Sequence, residues 1–135
     1  MSLSALIVMD EFADRHVVET SLRANPSVVR HSFTAGGTEA ARRLLARERF
    51  DMVFVDLDLD GCPQLLSELR GDAQYSALPF VGMSHNTDEE QVERLLSSGL
   101  DAFLSKPLKR DVVRAEIEEI AGLRSGQSAL QTRPV

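Results

Sequence analysis

Four residues at separate places in the chain carry groups that could do chemistry together: Asp10, Asp56, Ser84 and Lys106. Each closes or closely follows a short apolar run: Leu6-Ile7-Val8-Met9, Met52-Val53-Phe54-Val55, Leu78 to Met83, and Ala102-Phe103-Leu104. Unbroken runs rich in β-branched and aromatic residues suit strands buried on both faces of a parallel sheet. The carboxyl ends of such strands share one sheet edge, where ligands of open α/β sheets bind. Two carboxylates, a hydroxyl and an ammonium meeting there would suit a Mg²⁺ ion and a phosphoryl group. Magnesium takes hard oxygen ligands, usually one or two carboxylates with water. A hydroxyl and a lysine can then hold phosphoryl oxygens. Taken singly, each residue is weaker. Lys106 alone reads as a solvated loop lysine and Ser84 as a turn residue. Asp56, Asp58 and Asp60, at alternate positions, can simply open a polar loop.

The elements between these runs must bring the four groups together. Ala13 to Asn25 reads as a helix with Val17, Val18 and Leu22 on one face, stopped by Asn25-Pro26. Val28 to Phe33 alternates loosely, as a strand can. After the Ala35-Gly36-Gly37 turn, Thr38 is a fair N-cap for a helix through Leu45, with Ala40, Ala41, Leu44 and Leu45 inward. Leu65, Leu66 and Leu69 predict a helix over 64–70, ended by Gly71-Asp72. Asn86-Thr87 can cap a helix over 88–98, with an acidic first turn, Val92, Leu95 and Leu96 buried, and Gly99 after it. The last helix spans 110–123 with Val112, Val113, Ile117 and Ile120 inward. Strand and helix thus alternate five times, which predicts a single doubly wound α/β domain with a five-stranded parallel sheet. The domain is expected over 4–123, with 124–135 a flexible tail or linker.

Composition sets limits. With 135 residues, the chain holds one domain with room for a proper core. A net charge of -6 argues against unaided binding to a nucleic-acid backbone. The lone Cys62 cannot form an internal disulfide. The Ala5–Met9 run is too short for a membrane span and lacks the basic flank of a signal peptide, so a cytoplasmic protein is expected.

The segments L-I-V-M-D-E, T-A-G-G-T-E-A-A, D-M-V-F-V-D-L-D, L-P-F-V-G-M-S and G-L-D-A-F-L-S-K-P resemble the bacterial response-regulator receiver family, CheY-like in type. The resemblance covers about residues 4–123. It implies the flavodoxin-like (βα)5 fold with strand order 2-1-3-4-5. It implies a phospho-accepting signalling domain rather than a turnover enzyme. Asp56 matches the phospho-acceptor, Asp10 the magnesium-binding acid, and the backbone carbonyl of Asp58 a further Mg²⁺ ligand. Ser84 and Phe103 match the switch pair, Lys106 the family's lysine, and Lys106-Pro107 a bond often cis in relatives. The implied partners are a sensor histidine kinase or phosphotransfer protein and a downstream effector. A homodimer is compatible, and neither nucleic acid nor membrane is bound directly. The tail is too short for an output domain, so the chain acts by docking or belongs to a longer protein.

The sequence also departs from the family. Most receivers have two adjacent acids after the first strand. Matching Asp10 to the second acid sets Val17, Val18 and Leu22 inward and leaves Met9 where the first acid stands. The other register pairs Asp10 with Glu11, making Glu11 a metal candidate, but is expected to point Glu19 inward and is disfavoured. The loop after Asp56 lacks the usual Met-Pro pair, has Asp60 at the proline position, and is about two residues short. His85 stands where a small residue is common. These changes keep open a phosphorylation-independent docking module of the same fold. The Asp56-Leu57-Asp58 triplet also resembles the D-x-D motif of haloacid-dehalogenase phosphatases. There, however, the motif usually follows the first strand, not the third.

Overall fold

The computed structural model describes residues 3–24 and 29–124. In chain order they form β1 (Leu3–Val8), α1 (Phe12–Arg23), β2 (Val29–Ala35), α2 (Thr38–Arg47), β3 (Met52–Asp56), α3 (Cys62–Arg70), β4 (Phe80–Ser84), α4 (Glu89–Ser97), β5 (Ala102–Ser105) and α5 (Arg110–Arg124). The five strands make one parallel sheet in the order β2-β1-β3-β4-β5, as expected. The expected Asn25-Pro26 stop and the tail beyond Arg124 lie outside the described residues.

Alternation along the strands divides the core into two layers. Leu3, Ala5, Ile7 and Met9 of the first strand point to one face. Met52 and Phe54 of β3, and Val81 and Met83 of β4, join them there. Against them pack Val18 and Leu22 of α1 and Val113, Ile117 and Ile120 of α5. Leu6, Val8, Val53, Val55 and Phe80 point the other way, onto Ala41 and Leu45 of α2 and Leu65, Leu66 and Leu69 of α3. At about 25 cal/mol per Å² of apolar surface removed from water, this double burial is what fixes the register of the central strands. The edge strand β2 is mostly exposed between Val29 and Ala35.

Several local expectations shift. Thr38 is the first residue of α2, and the N-cap is Gly37. Asp88, not Asn86 or Thr87, caps α4, its carboxylate accepting the Gln91 N–H at 3.2 Å. The stripe expected to be buried on α4 is only half covered: none of its residues is buried, and Leu96 is 39% exposed. The reason is position, since β5, the strand beside α4, ends the sheet. On α5, Val112 is 45% exposed. Val113, Ile117 and Ile120 share the inward face at helical spacing, and Val112 sits about 100° off it.

Candidate functional site

The carboxyl ends of β1, β3, β4 and β5 open into one cleft of about 420 Å³, lined by Asp10, Glu11, Asp56, Asp58, Leu59, Asp60, His85 and Lys106. A crevice of about 510 Å³ lies at the other end of the sheet, between the α2–β3 and α3–β4 connections. Its lining holds one carboxylate, Glu48, against the five of the cleft.

At the centre of the cleft, Asp56 is buried as the last residue of β3. Burying a carboxylate is costly unless it is paired, and Asp56 is paired. The Lys106 Nζ stands 2.7 Å from its Oδ1, and the backbone N–H of Asp58 donates to the same oxygen at 2.9 Å. Lys106 is itself buried, which by itself would lower its pKa. The carboxylates of Asp56 and Asp58 outweigh that and hold it above the ordinary lysine value of 10.5.

Ser84 ends β4 next to β5, in register with Ser105. Its hydroxyl donates to Asp58 Oδ1 at 2.5 Å and accepts the Asn86 N–H at 2.9 Å. The His85 N–H donates to Asp58 Oδ2 at 2.9 Å, and Lys106 Nζ lies 3.4 Å from that oxygen. Partial burial pushes the Asp58 pKa up, but the Ser84, His85 and Lys106 contacts prevail and hold it below the usual carboxylate value. Thus the side chain of Asp58, and not only its backbone, belongs to the site.

Asp10 and Glu11 are exposed at the rim, with Glu11 Oε1 4.0 Å from Lys106 Nζ. The register that placed Met9 among the acids is corrected here. The Met9 N–H donates to Ala35 O at 3.0 Å, so strand pairing runs one residue past β1. Met9 therefore shares the face of Ile7 and is fully buried in the α1/α5 layer of the core. The adjacent acids of this site are Asp10 and Glu11. Glu19 does not point into the core in consequence; it reaches sideways to accept the Thr34 hydroxyl at 3.0 Å.

Sequence reasoning passed over one buried acid. Asp14 on α1 is in phase with Val18 and Leu22, and its Oδ1 accepts the Leu108 N–H at 3.2 Å. The signal was an acid at an inward helical position. The neighbouring Asp14 carboxylate raises the Glu11 pKa despite the attraction of Lys106. Behind the cleft, Cys62 at the start of α3 is buried. Burial, with the charges of Asp56 and Asp10, pushes its thiol to about 12. Gly61, at φ 83°, makes the left-handed turn into α3.

Phe103 lies away from the cleft, in register with Gly82 of β4, half-buried against the Leu57 and Leu100 side of the core. Lys106-Pro107 is a cis peptide.

The acids of the cleft offer hard oxygen donors, with His85 the one imidazole among its lining residues. Among the described residues, no three His, Cys, Asp or Glu side chains form a ready-made metal cage. Magnesium does not require one, since it binds through one or two carboxylates and keeps several waters. Asp10, Glu11, Asp56 and the Asp58 carbonyl therefore fit Mg²⁺ in type. A soft metal, which prefers sulfur, would find only a buried thiol held protonated.

The family model of the response regulator receiver domain matches residues 5–118. The chain belongs to the response regulator receiver family. The receiver is 34% identical over 109 residues to the KDP operon transcriptional regulatory protein KdpE of Escherichia coli, covering 77% of this chain and 44% of that protein. Among solved structures, the chemotaxis response regulator CheY4 of Vibrio cholerae matches with a TM-score of 0.77 at 20% identity, over 89% of this chain and 99% of that one. The receiver domain of a sensor histidine kinase from Pseudomonas aeruginosa, described with magnesium coordinated in its active-site cleft, matches at 0.74 and 22% identity, over 90% and 99%. The curated relatives include histidine kinases and a transcriptional regulator, and the receiver spans 11% to 50% of the length of the first three. Among the described residues, no helix is long and apolar enough to cross a membrane.

Proposed function

We propose that this receiver takes a phosphoryl group onto Asp56 and uses it as a transient signal. The carrying observation is the buried Asp56–Lys106 contact of 2.7 Å at the floor of an acid-rimmed cleft. A buried carboxylate with its own cation is positioned as a nucleophile, and positioning and charge offset are what phosphoryl transfer asks of a protein. Asp10, Glu11, Asp56 and the Asp58 carbonyl would hold Mg²⁺, which would offset the charge on the incoming phosphoryl oxygens. Lys106 supplies the protein's own share of that offset. Ser84 and Phe103 form the switch: the hydroxyl follows the phosphoryl oxygens, and the half-buried Phe103 adjusts with β4 and β5.

The proposed donor is a sensor histidine kinase or a phosphotransfer protein, and the reader a downstream effector in the cytoplasm. Relatives of both the kinase and the regulator type support this. The domain acts in this reading as a signalling module, not a turnover enzyme. The phosphatase reading has no comparable support, because Asp58 is committed to Ser84, His85 and Lys106 rather than open for acid/base work.

One observation favours a phosphorylation-independent docking module: the groups that would receive phosphoryl oxygens already hold the Asp58 carboxylate. Intact-mass measurement after treatment with acetyl phosphate and Mg²⁺ separates the two. One labile phosphate, absent in Asp56→Asn, is expected. No adduct on the wild type would leave the docking module standing, and an adduct surviving in Asp56→Asn would remove Asp56 from the acceptor role.

A further inference from the structure

We propose that the Asp58 carboxylate is a built-in occupant of the phosphoryl seat, which must leave that seat before Asp56 is phosphorylated. The inference rests on the reading of Asp56 as the acceptor. Three donors of different kinds converge on this one side chain: the Ser84 hydroxyl at 2.5 Å, the His85 N–H at 2.9 Å and the Lys106 ammonium at 3.4 Å. They come from the end of β4, the residue after it, and the residue after β5. Such a set is an anion seat, in which charge-assisted hydrogen bonds are stronger than neutral ones. The same lysine touches Asp56 at 2.7 Å, so the seat adjoins the nucleophile.

Two of these donors, the Ser84 hydroxyl and the His85 amide, cannot serve two anions at once. The Ser84 hydroxyl has one proton, which goes to Asp58, while its oxygen accepts the Asn86 N–H at 2.9 Å. The His85 amide likewise has one proton, and Asp58 takes it. The backbone keeps the carboxylate in reach. The Asp58 N–H is tied to Asp56 Oδ1 at 2.9 Å, and the Leu59 N–H to Asp56 O at 3.2 Å. In transfer from acetyl phosphate, the bond from phosphorus to the acetate oxygen breaks and the electron pair leaves with acetate. A bond from an Asp56 carboxylate oxygen to phosphorus forms. The new phosphoryl oxygens then take the Ser84, His85 and Lys106 donors, and the Asp58 carboxylate swings to water. Its backbone carbonyl stays where it is.

The test is the rate of labelling by acetyl phosphate at saturating Mg²⁺, followed by intact mass. Wild type, Asp58→Asn, Asp58→Ala, Ser84→Ala and the Ser84→Ala/Asp58→Asn double variant are compared, each checked for a cooperative melt. Asp58→Asn keeps the shape and removes the charge, so at least one Asp58 variant is expected to fold. Both should label faster, by about tenfold, which corresponds to about 1.4 kcal/mol of released competition. The gain should shrink in the Ser84→Ala background, because Asp58 has lost one of its holds there. Equal or slower labelling of the Asp58 variants overturns the inference and leaves the acceptor reading intact. Additive effects of Ser84→Ala and Asp58→Asn also overturn it, reducing Asp58 to a bare repulsive charge. If no protein labels, the acceptor reading falls and this inference with it.

Discussion

The buried carboxylate of Asp14 accepts the backbone N–H of Leu108 at 3.2 Å, across 94 residues of sequence. That bond ties α1 to the loop carrying Lys106, two residues before Leu108, and so helps aim the ammonium at Asp56. Removing the acceptor leaves a buried N–H unsatisfied, which costs about 1–3 kcal/mol. Asp14→Ala should lower the unfolding free energy by that amount in urea titrations, and Asp14→Asn, which retains an acceptor, by less. Equal stability of wild type and Asp14→Ala would show that water replaces the carboxylate.

Met9 makes a second test, of the acid register. Because Met9 is fully buried, Met9→Asp puts a carboxylate into an apolar layer with no cation. A loss of about 3 kcal/mol or more is expected in denaturant titrations, with no gain in Mg²⁺ affinity by calorimetry. Asp10→Asn, at the exposed rim, should instead weaken Mg²⁺ binding. A unit charge about 5 Å from the cation is worth about 1–3 kcal/mol, or roughly tenfold or more in affinity. Tighter Mg²⁺ binding by Met9→Asp would return Met9 to the acid pair.

Asp58 has a folded pKa below its ordinary 3.8, so its contribution to stability is present above that value. It fades as pH falls through the lowered folded value. The wild-type advantage in unfolding free energy over Asp58→Asn should therefore grow from about pH 2 to about pH 5 and then level off. Lys106 runs the other way: with its pKa raised above 10.5, its contribution is complete below that and lost as pH rises through the folded value. Melts of the two proteins from acid to neutral pH would check the Asp58 sign. An advantage that shrinks as pH rises would reverse it.

Gly82, two residues before Ser84, leaves no room for a side chain unless two leucines shift. A Cβ there would stand 2.6 Å from Leu100 Cδ1 and 2.8 Å from Leu57 Cδ1. Overpacking of this kind costs about 1–3 kcal/mol. Gly82→Ala should show that loss by chemical denaturation, and Leu100→Val in the same chain should recover part of it. A neutral Gly82→Ala would mean that both leucines move aside freely.

By itself, the sequence determined the alternation of strands and helices, the parallel sheet, and the places of Asp56, Ser84 and Lys106 at strand ends. Those follow from one-dimensional signals: unbroken apolar runs, inward helical spacing, and a polar residue where each run stops. Asp56, Ser84 and Lys106 were legible because strand ends in a parallel sheet share an edge, whatever the detailed packing. The tertiary structure alone decided the rest. Met9 was taken for a site position because the inward spacing of Val17, Val18 and Leu22 was used to set the acid register. Whether Met9 still belongs to the ladder depends on a partner strand 26 residues on, at Ala35. The α4 stripe looked like core because amphipathic spacing tells which face is apolar, not how much sheet lies beneath it. Only the backbone carbonyl of Asp58 was assigned to the site, because the three donors to its side chain lie 26, 27 and 48 residues downstream, and only folding brings them to one carboxylate.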